Sequence, residues 1–76
     1  MANKFRDKFI SAMERRERVL TIMPAKGFAS INQLAEAAGM TWSALDKSLR
    51  SESVSAASIC KIAMALDVSV KYLLER

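Results

Sequence analysis

Histidine is absent from this 76-residue sequence, cysteine and proline each occur once, and glycine occurs twice. Without histidine no Ser/His/Asp or Cys/His set can be assembled and the commonest general base is missing, which argues against an enzyme. The same absence removes zinc sites of the usual ligand types, and Cys60 alone cannot close an intrachain disulfide. Nothing here calls for a cofactor or a small-molecule substrate. Two glycines and one proline supply too few turns for an all-β chain. No apolar run approaches the roughly 18 residues that cross a bilayer. The first residues are charged where a signal peptide would be apolar, so a soluble, cytoplasmic protein is expected, with no membrane partner.

What is present describes one helical domain spanning residues 1–76. A chain of this length buries only about 60% of its unfolded surface, which leaves material for a single core, and a hydrophobic content of 51% is enough to build it. The net charge of +4 is uneven: residues 1–26 hold seven Lys/Arg and three Asp/Glu, whereas residues 27–76 hold five of each. A basic segment attracts polyanions such as DNA, although the same balance also serves plain solvation.

Five short helices account for the hydrophobic periodicity. From Lys4 to about Ile22 the apolar residues Phe5, Phe9, Ala12, Met13, Leu20 and Met23 recur at helical steps. Between them Arg15, Arg16, Glu17 and Arg18 form a charged face, with Glu14 and Arg18 at the favourable i,i+4 spacing. Met23-Pro24-Ala25-Lys26-Gly27 breaks the pattern. Ser30 is an N-cap for a second helix carrying Ile31, Leu34, Ala35 and Ala38 on one face, and Gly39 stops it in the conformation of a helix C′ residue. Thr41 caps a third helix, Trp42 to about Arg50, with Leu45 and Leu49 inward. After the polar connector 51–55, Ser55 caps a fourth helix with Ile59, Ile62, Ala63 and Leu66, ending at Asp67 or Val68. Ser69 caps a fifth, in which Val70, Leu73 and Leu74 share a face. Cys60 and the five methionines read as packing residues.

The stretch Ser-Ile-Asn-Gln-Leu-Ala-Glu-Ala-Ala-Gly-Met-Thr-Trp-Ser-Ala-Leu-Asp-Lys-Ser-Leu, residues 30–49, resembles the helix-turn-helix of the lambda-repressor and Cro family. Ala35 stands where the helices cross closely, Gly39 makes the turn, and Leu34, Met40 and Leu45 close the apolar wedge. Residues 58–74, Ser-Ile-Cys-Lys-Ile-Ala-Met-Ala-Leu-Asp-Val-Ser-Val-Lys-Tyr-Leu-Leu, look like the fourth and fifth helices of the same family. The fold implied is all-α, a compact five-helix lambda-repressor-like domain. The function implied is sequence-specific binding of double-stranded DNA by a transcriptional repressor.

That resemblance implies that the third helix enters the major groove. Trp42, Ser43, Asp46 and Lys47 are then the base-reading candidates. Ser43 can serve several bases, Lys47 suits guanine O6 and N7, and Asp46 either accepts from cytosine or penalises wrong sites. Trp42 departs from the family's polar or basic residue: it either contacts a thymine methyl or sugar edge, or packs over the junction of helices 2 and 3. Ile31 also departs, since the family commonly places a phosphate-holding glutamine there. Phosphate contacts fall to Ser30, Asn32, Gln33, Thr41, Arg50, Ser51 and Ser53, with free N–H groups at the start of the second helix and Lys4, Arg6 and Lys8 from the N-terminal end.

One short recognition helix reads little sequence, so a homodimer on a palindromic operator is expected, with half-sites about 34 Å apart. Val70, Tyr72, Leu73 and Leu74 are the candidate dimer surface, the alternative for Leu73 and Leu74 being closure of the core. Arg76 follows a helix directly, which fits either the N-terminal part of a longer repressor or a whole Cro-like protein. Two rival readings remain. A winged-helix regulator would require a β-hairpin within residues 51–76, against their helical periodicity. A protein-interaction module, such as an antitoxin or helical adaptor, would use the same scaffold without reading DNA.

Overall fold

Five hydroxyl side chains start the five helices that lie wholly within the described residues. In the computed structural model, which describes residues 8–76, these are α1 (Ala12–Ile22), α2 (Ile31–Ala38), α3 (Trp42–Arg50), α4 (Ala56–Leu66) and α5 (Val70–Leu74). Ser11, Ser30, Thr41, Ser55 and Ser69 precede them in extended conformation. Each accepts a hydrogen bond from the backbone N–H three residues on, at Glu14, Gln33, Ala44, Ser58 and Tyr72. A helix leaves its first N–H groups without intrahelical acceptors, and a short side-chain oxygen at this position supplies one. Four of the caps are those the sequence indicates; Ser11 is not.

The ends are as specific as the starts. Gly39 sits at φ 68°, its N–H bonded to Glu36 O, while Met40 N–H reaches back to Ala35 O at 2.9 Å. This pair of bonds is the Schellman closure, which requires a left-handed residue and favours glycine. Asp67, at φ 55°, closes α4 with the same two bonds, from its own N–H to Met64 O and from Val68 N–H to Ala63 O. A 3-10 turn, Pro24–Lys26, joins α1 to α2.

The helices enclose Val19, Met23, Leu34, Ala35, Leu45, Leu49, Ile59, Ile62, Ala63, Leu66 and Leu73. α2 packs on α3 and α4, while α1 packs on α3 and α5. The inward stripe of α1 differs from the sequence expectation. Ala12, Arg15 and Val19 are buried and Met23 follows them, at steps of three and four residues, whereas Met13 is 72% exposed and Leu20 and Phe9 are also exposed. The helix is also not continuous from Lys4 to Ile22. Phe9 forms an isolated antiparallel bridge with Glu75, Ile10 N–H donates to Leu74 O, and Arg76 N–H donates to Lys8 O. This pairing uses backbone groups that a helix would need, and α1 starts at the Ser11 cap. Residues 1–7, with Lys4, Phe5 and Arg6, lie outside the described residues.

The charged face expected on α1 also turns out divided. Arg15 is only 3% exposed. Its Nε donates to Leu73 O at 3.0 Å, and its Nη1 to Ser48 O and Ser51 O, each at 3.1 Å. Arg18 Nη1 donates to Tyr72 O and Glu75 O, and its guanidinium lies 5.4 Å from the centre of the Tyr72 ring. These acceptors belong to the last turns of α3 and α5, or to the residues just beyond, where carbonyls lack intrahelical donors and the helix dipole favours a cation. Two arginines therefore cap two helix ends from a third helix. Burial pushes the Arg15 guanidinium below its ordinary pKa, and the Glu52 carboxylate opposes that shift. Glu52 in turn accepts the N–H of Ala12 at 3.1 Å. Glu14 does not pair with Arg18, which is taken by carbonyls; it meets Arg76 at 3.8 Å.

Two alternatives left open by the sequence are decided here. Leu73 is fully buried and cannot belong to a dimer surface, because its side chain closes the core between α1 and α4. The winged-helix reading also fails, since residues 56–66 and 70–74 are helices and the Phe9–Glu75 bridge is the only β pairing among the described residues.

Candidate nucleic-acid interface

The outer surface of the α2–α3 hairpin follows from which residues the core takes. In α3 the core takes Leu45 and Leu49 completely, and Ser48 is buried with its hydroxyl donating to Ala44 O at 2.9 Å. Trp42, Ser43, Lys47 and Arg50 are left outside. Trp42 is 51% exposed, which leaves about half of its surface open to solvent. In α2 the core takes Leu34, Ala35 and Ala38, and Ile31 packs against it half-buried. The hydrophobic Ile31 thus serves packing where the family's glutamine would serve phosphate.

The helix starts also present backbone donors. Ser30 Oγ takes Gln33 N–H and Ser30 O takes Leu34 N–H, leaving the N–H groups of Ile31 and Asn32 without an acceptor among the described residues. Thr41 does the same for Ala44 and Leu45, leaving Trp42 and Ser43. Free N–H groups at a helix start attract anions. Gln33 is less available as a side chain than the sequence suggests, because its Oε1 accepts Ala29 N–H at 2.8 Å, an extended form of the capping box. Asn32 is exposed.

Beyond α3, Ser51 Oγ donates to Ser53 O at 2.9 Å and accepts Ser53 N–H at 3.1 Å, so these two serines shape their own loop. An open cleft there is lined by Ala44, Lys47, Ser48, Ser53, Val54, Ser55 and Ser58. The structure therefore brings Lys47 and Ser53 together and adds Ser55 and Ser58 from the start of α4. Ser58 was missed from sequence because nothing in the chain order relates it to Lys47; only the packing of α3 on α4 does. Asp46 is not an open acceptor. Its carboxylate is engaged by Arg50 Nε at 3.2 Å and approached by Arg16 Nη1 at 4.0 Å. The other two candidate groups lie elsewhere. Lys8 is exposed but its carbonyl is tied to Arg76. Of the expected dimer residues, Val70 is exposed, Tyr72 is half-buried beneath Arg18, and Leu74 packs against the core.

Among the described residues, no helix is long and apolar enough to cross a membrane, and no group of His, Cys, Asp and Glu could hold a metal ion. Comparison with known proteins agrees with the geometry. The sequence model of the Cro/C1-type HTH DNA-binding domain matches residues 18–76, which takes in all of α2 to α5 and the second half of α1. No individual curated protein and no solved structure matches the chain. With the family model covering well over half of its length, this chain belongs to the Cro/C1-type helix-turn-helix DNA-binding domains.

Proposed function

We propose that this DNA-binding domain belongs to a transcriptional repressor and that α3 reads the major groove of a palindromic operator, with two copies of the chain bound. The observation that carries the reading is the division of α3: Leu45 and Leu49 are fully buried, while Trp42, Ser43 and Lys47 are exposed along its first two turns. Side chains near the start of such a helix are the ones that meet base edges. Lys47 is the main donor, suited to guanine O6 and N7, with Ser43 beside it and Trp42 available to a thymine methyl. Phosphates are met by the free N–H groups of Ile31 and Asn32, by Asn32 and Ser30, by Thr41 and the N–H groups after it, and by Arg50, Ser51 and Ser53 across the loop. These contacts position the domain and give salt-dependent affinity. Val70, Tyr72 and Leu74 remain the proposed contact between copies.

Selection from a pool of random duplexes, followed by fluorescence anisotropy across a salt series, tests this. Enrichment of a palindrome with half-sites about one helical turn apart is the expected result. Lys47→Ala then relaxes preference at one base position and weakens that site by about 1–3 kcal/mol. If binding is weak, salt-suppressed and without enriched sequence, specific readout is absent from this chain. The protein-interaction reading then takes precedence, with the exposed Trp42 as its anchor.

A further inference from the structure

We propose that Asp46 acts as an internal competitor for phosphate, determining specificity by withholding Arg50 and Arg16 from DNA that α3 does not recognise. The inference rests on the reading that α3 docks on DNA. Its basis is a three-residue cluster on the flank of that helix. Arg50 Nε lies 3.2 Å from both carboxylate oxygens of Asp46, and Arg16, from α1, approaches to 4.0 Å. The Asp46 side chain is 20% exposed, while Arg16 and Arg50 are more open, at 39% and 69%. The acid precedes Arg50 by four residues, the orientation that brings such pairs together on a helix.

One carboxylate thus neutralises part of the basic charge beside the reading face. It sits one residue before Lys47 and three after Ser43, so while Arg50 stays on it the carboxylate opposes a phosphate brought to that flank. Binding to arbitrary sequence relies on phosphate charge and bears this repulsion in full. Binding to a recognised site holds α3 in one place, where an exposed ion pair is weak enough to exchange Arg50 to a phosphate, so the penalty is smaller there. The effect is a larger ratio of specific to non-specific affinity, which is the quantity that matters among many competing sites.

The test is anisotropy of the full chain with a labelled random-sequence duplex across a salt series, comparing wild type with Asp46→Asn. The asparagine keeps the shape and removes the charge. Non-specific affinity is expected to rise about three- to tenfold at moderate salt, with the salt slope steeper by about one phosphate contact. Arg50→Ala placed in the Asp46→Asn background is expected to abolish most of that gain, and Asp46→Glu, which restores the charge, to return the slope toward wild type. On a selected site, Asp46→Asn gains less than on random duplex, so selectivity falls. A wild-type protein that binds duplex while Asp46→Asn leaves affinity and slope unchanged, or lowers both, overturns the competitor role and leaves the docking reading intact. A wild-type protein with no salt-dependent duplex binding overturns the docking reading itself, and this inference with it.

Discussion

The α2–α3 hairpin and the clasp of α1 on α5 are similar in size and are held by different means. In the hairpin the defining bonds are local. Ser30 reaches Gln33, Thr41 reaches Ala44, and the Gly39 turn ties Met40 to Ala35. In the clasp they cross the chain: Arg15 reaches Leu73, 58 residues away, and Arg18 reaches Tyr72 and Glu75, while Ile10 pairs with Leu74. The hairpin presents the candidate interface, so its geometry must be reproducible in the absence of DNA, and local bonds close cheaply in chain entropy. The clasp closes the domain at greater entropic cost, and it uses charge-assisted bonds, the stronger kind, for that closure.

The comparison can be broken first at Arg15. Arg15→Ala removes three hydrogen bonds from a cation and leaves the carbonyls of Leu73, Ser48 and Ser51 without it, so stability is expected to fall by about 3 kcal/mol or more. Urea unfolding measures this, and Arg15→Lys recovers only part of the loss because an ammonium lacks the planar fork. Because the same guanidinium holds carbonyls in the last turn of α3 and just beyond it, a loss confined to α5 would contradict the arrangement. Amide exchange resolves the two ends separately.

A smaller effect is expected in the hairpin. Gly39→Ala meets no atom within 4 Å, so only its left-handed backbone opposes the new side chain. The expected loss is about 1 kcal/mol. Asp67 offers the reverse experiment on the same motif. Asp67→Gly relaxes a left-handed non-glycine residue and is expected to raise stability by about 0.5–1 kcal/mol, less than Arg15→Ala removes. Thermal or urea unfolding of both variants decides whether the two turns follow one rule; a destabilised Asp67→Gly would show that the aspartate contributes beyond its backbone angle.

The hairpin was legible because each of its devices carries a residue-type signal within four positions: a hydroxyl before an apolar run, a glycine after it, leucines four apart. The start of α1 had such a signal too, in Ser11-Ala12-Met13-Glu14, the pattern of a capping box. The apolar period running through Phe5 and Phe9 masked it. Arg15 was not legible. It occupies an inward position of α1, but its charge and its neighbours Arg16, Glu17 and Arg18 make it look like part of a solvated face. Nothing in the local sequence announces the carbonyls that receive it. For the interface, exposure of Trp42, Ser43 and Lys47 follows from helical phase once Leu45 and Leu49 are assigned inward. The gathering of Ser53, Ser55 and Ser58 around Lys47 does not, nor does the approach of Arg16 to Asp46, because both depend on how whole helices pack.

The sequence by itself determined the helix starts at Ser30, Thr41, Ser55 and Ser69, the turn at Gly39, the inward leucines of α3 and the family to which the chain belongs. These rest on backbone preference and on the 3.6-residue period, which act over one or two turns. Only the tertiary structure decided that Arg15 is a core residue, that Leu73 closes the core instead of meeting a partner, and that Asp46 is already engaged. Each of those outcomes depends on a group far away in the chain, and a charged or apolar side chain has no intrinsic preference among distant partners until packing brings one of them within reach.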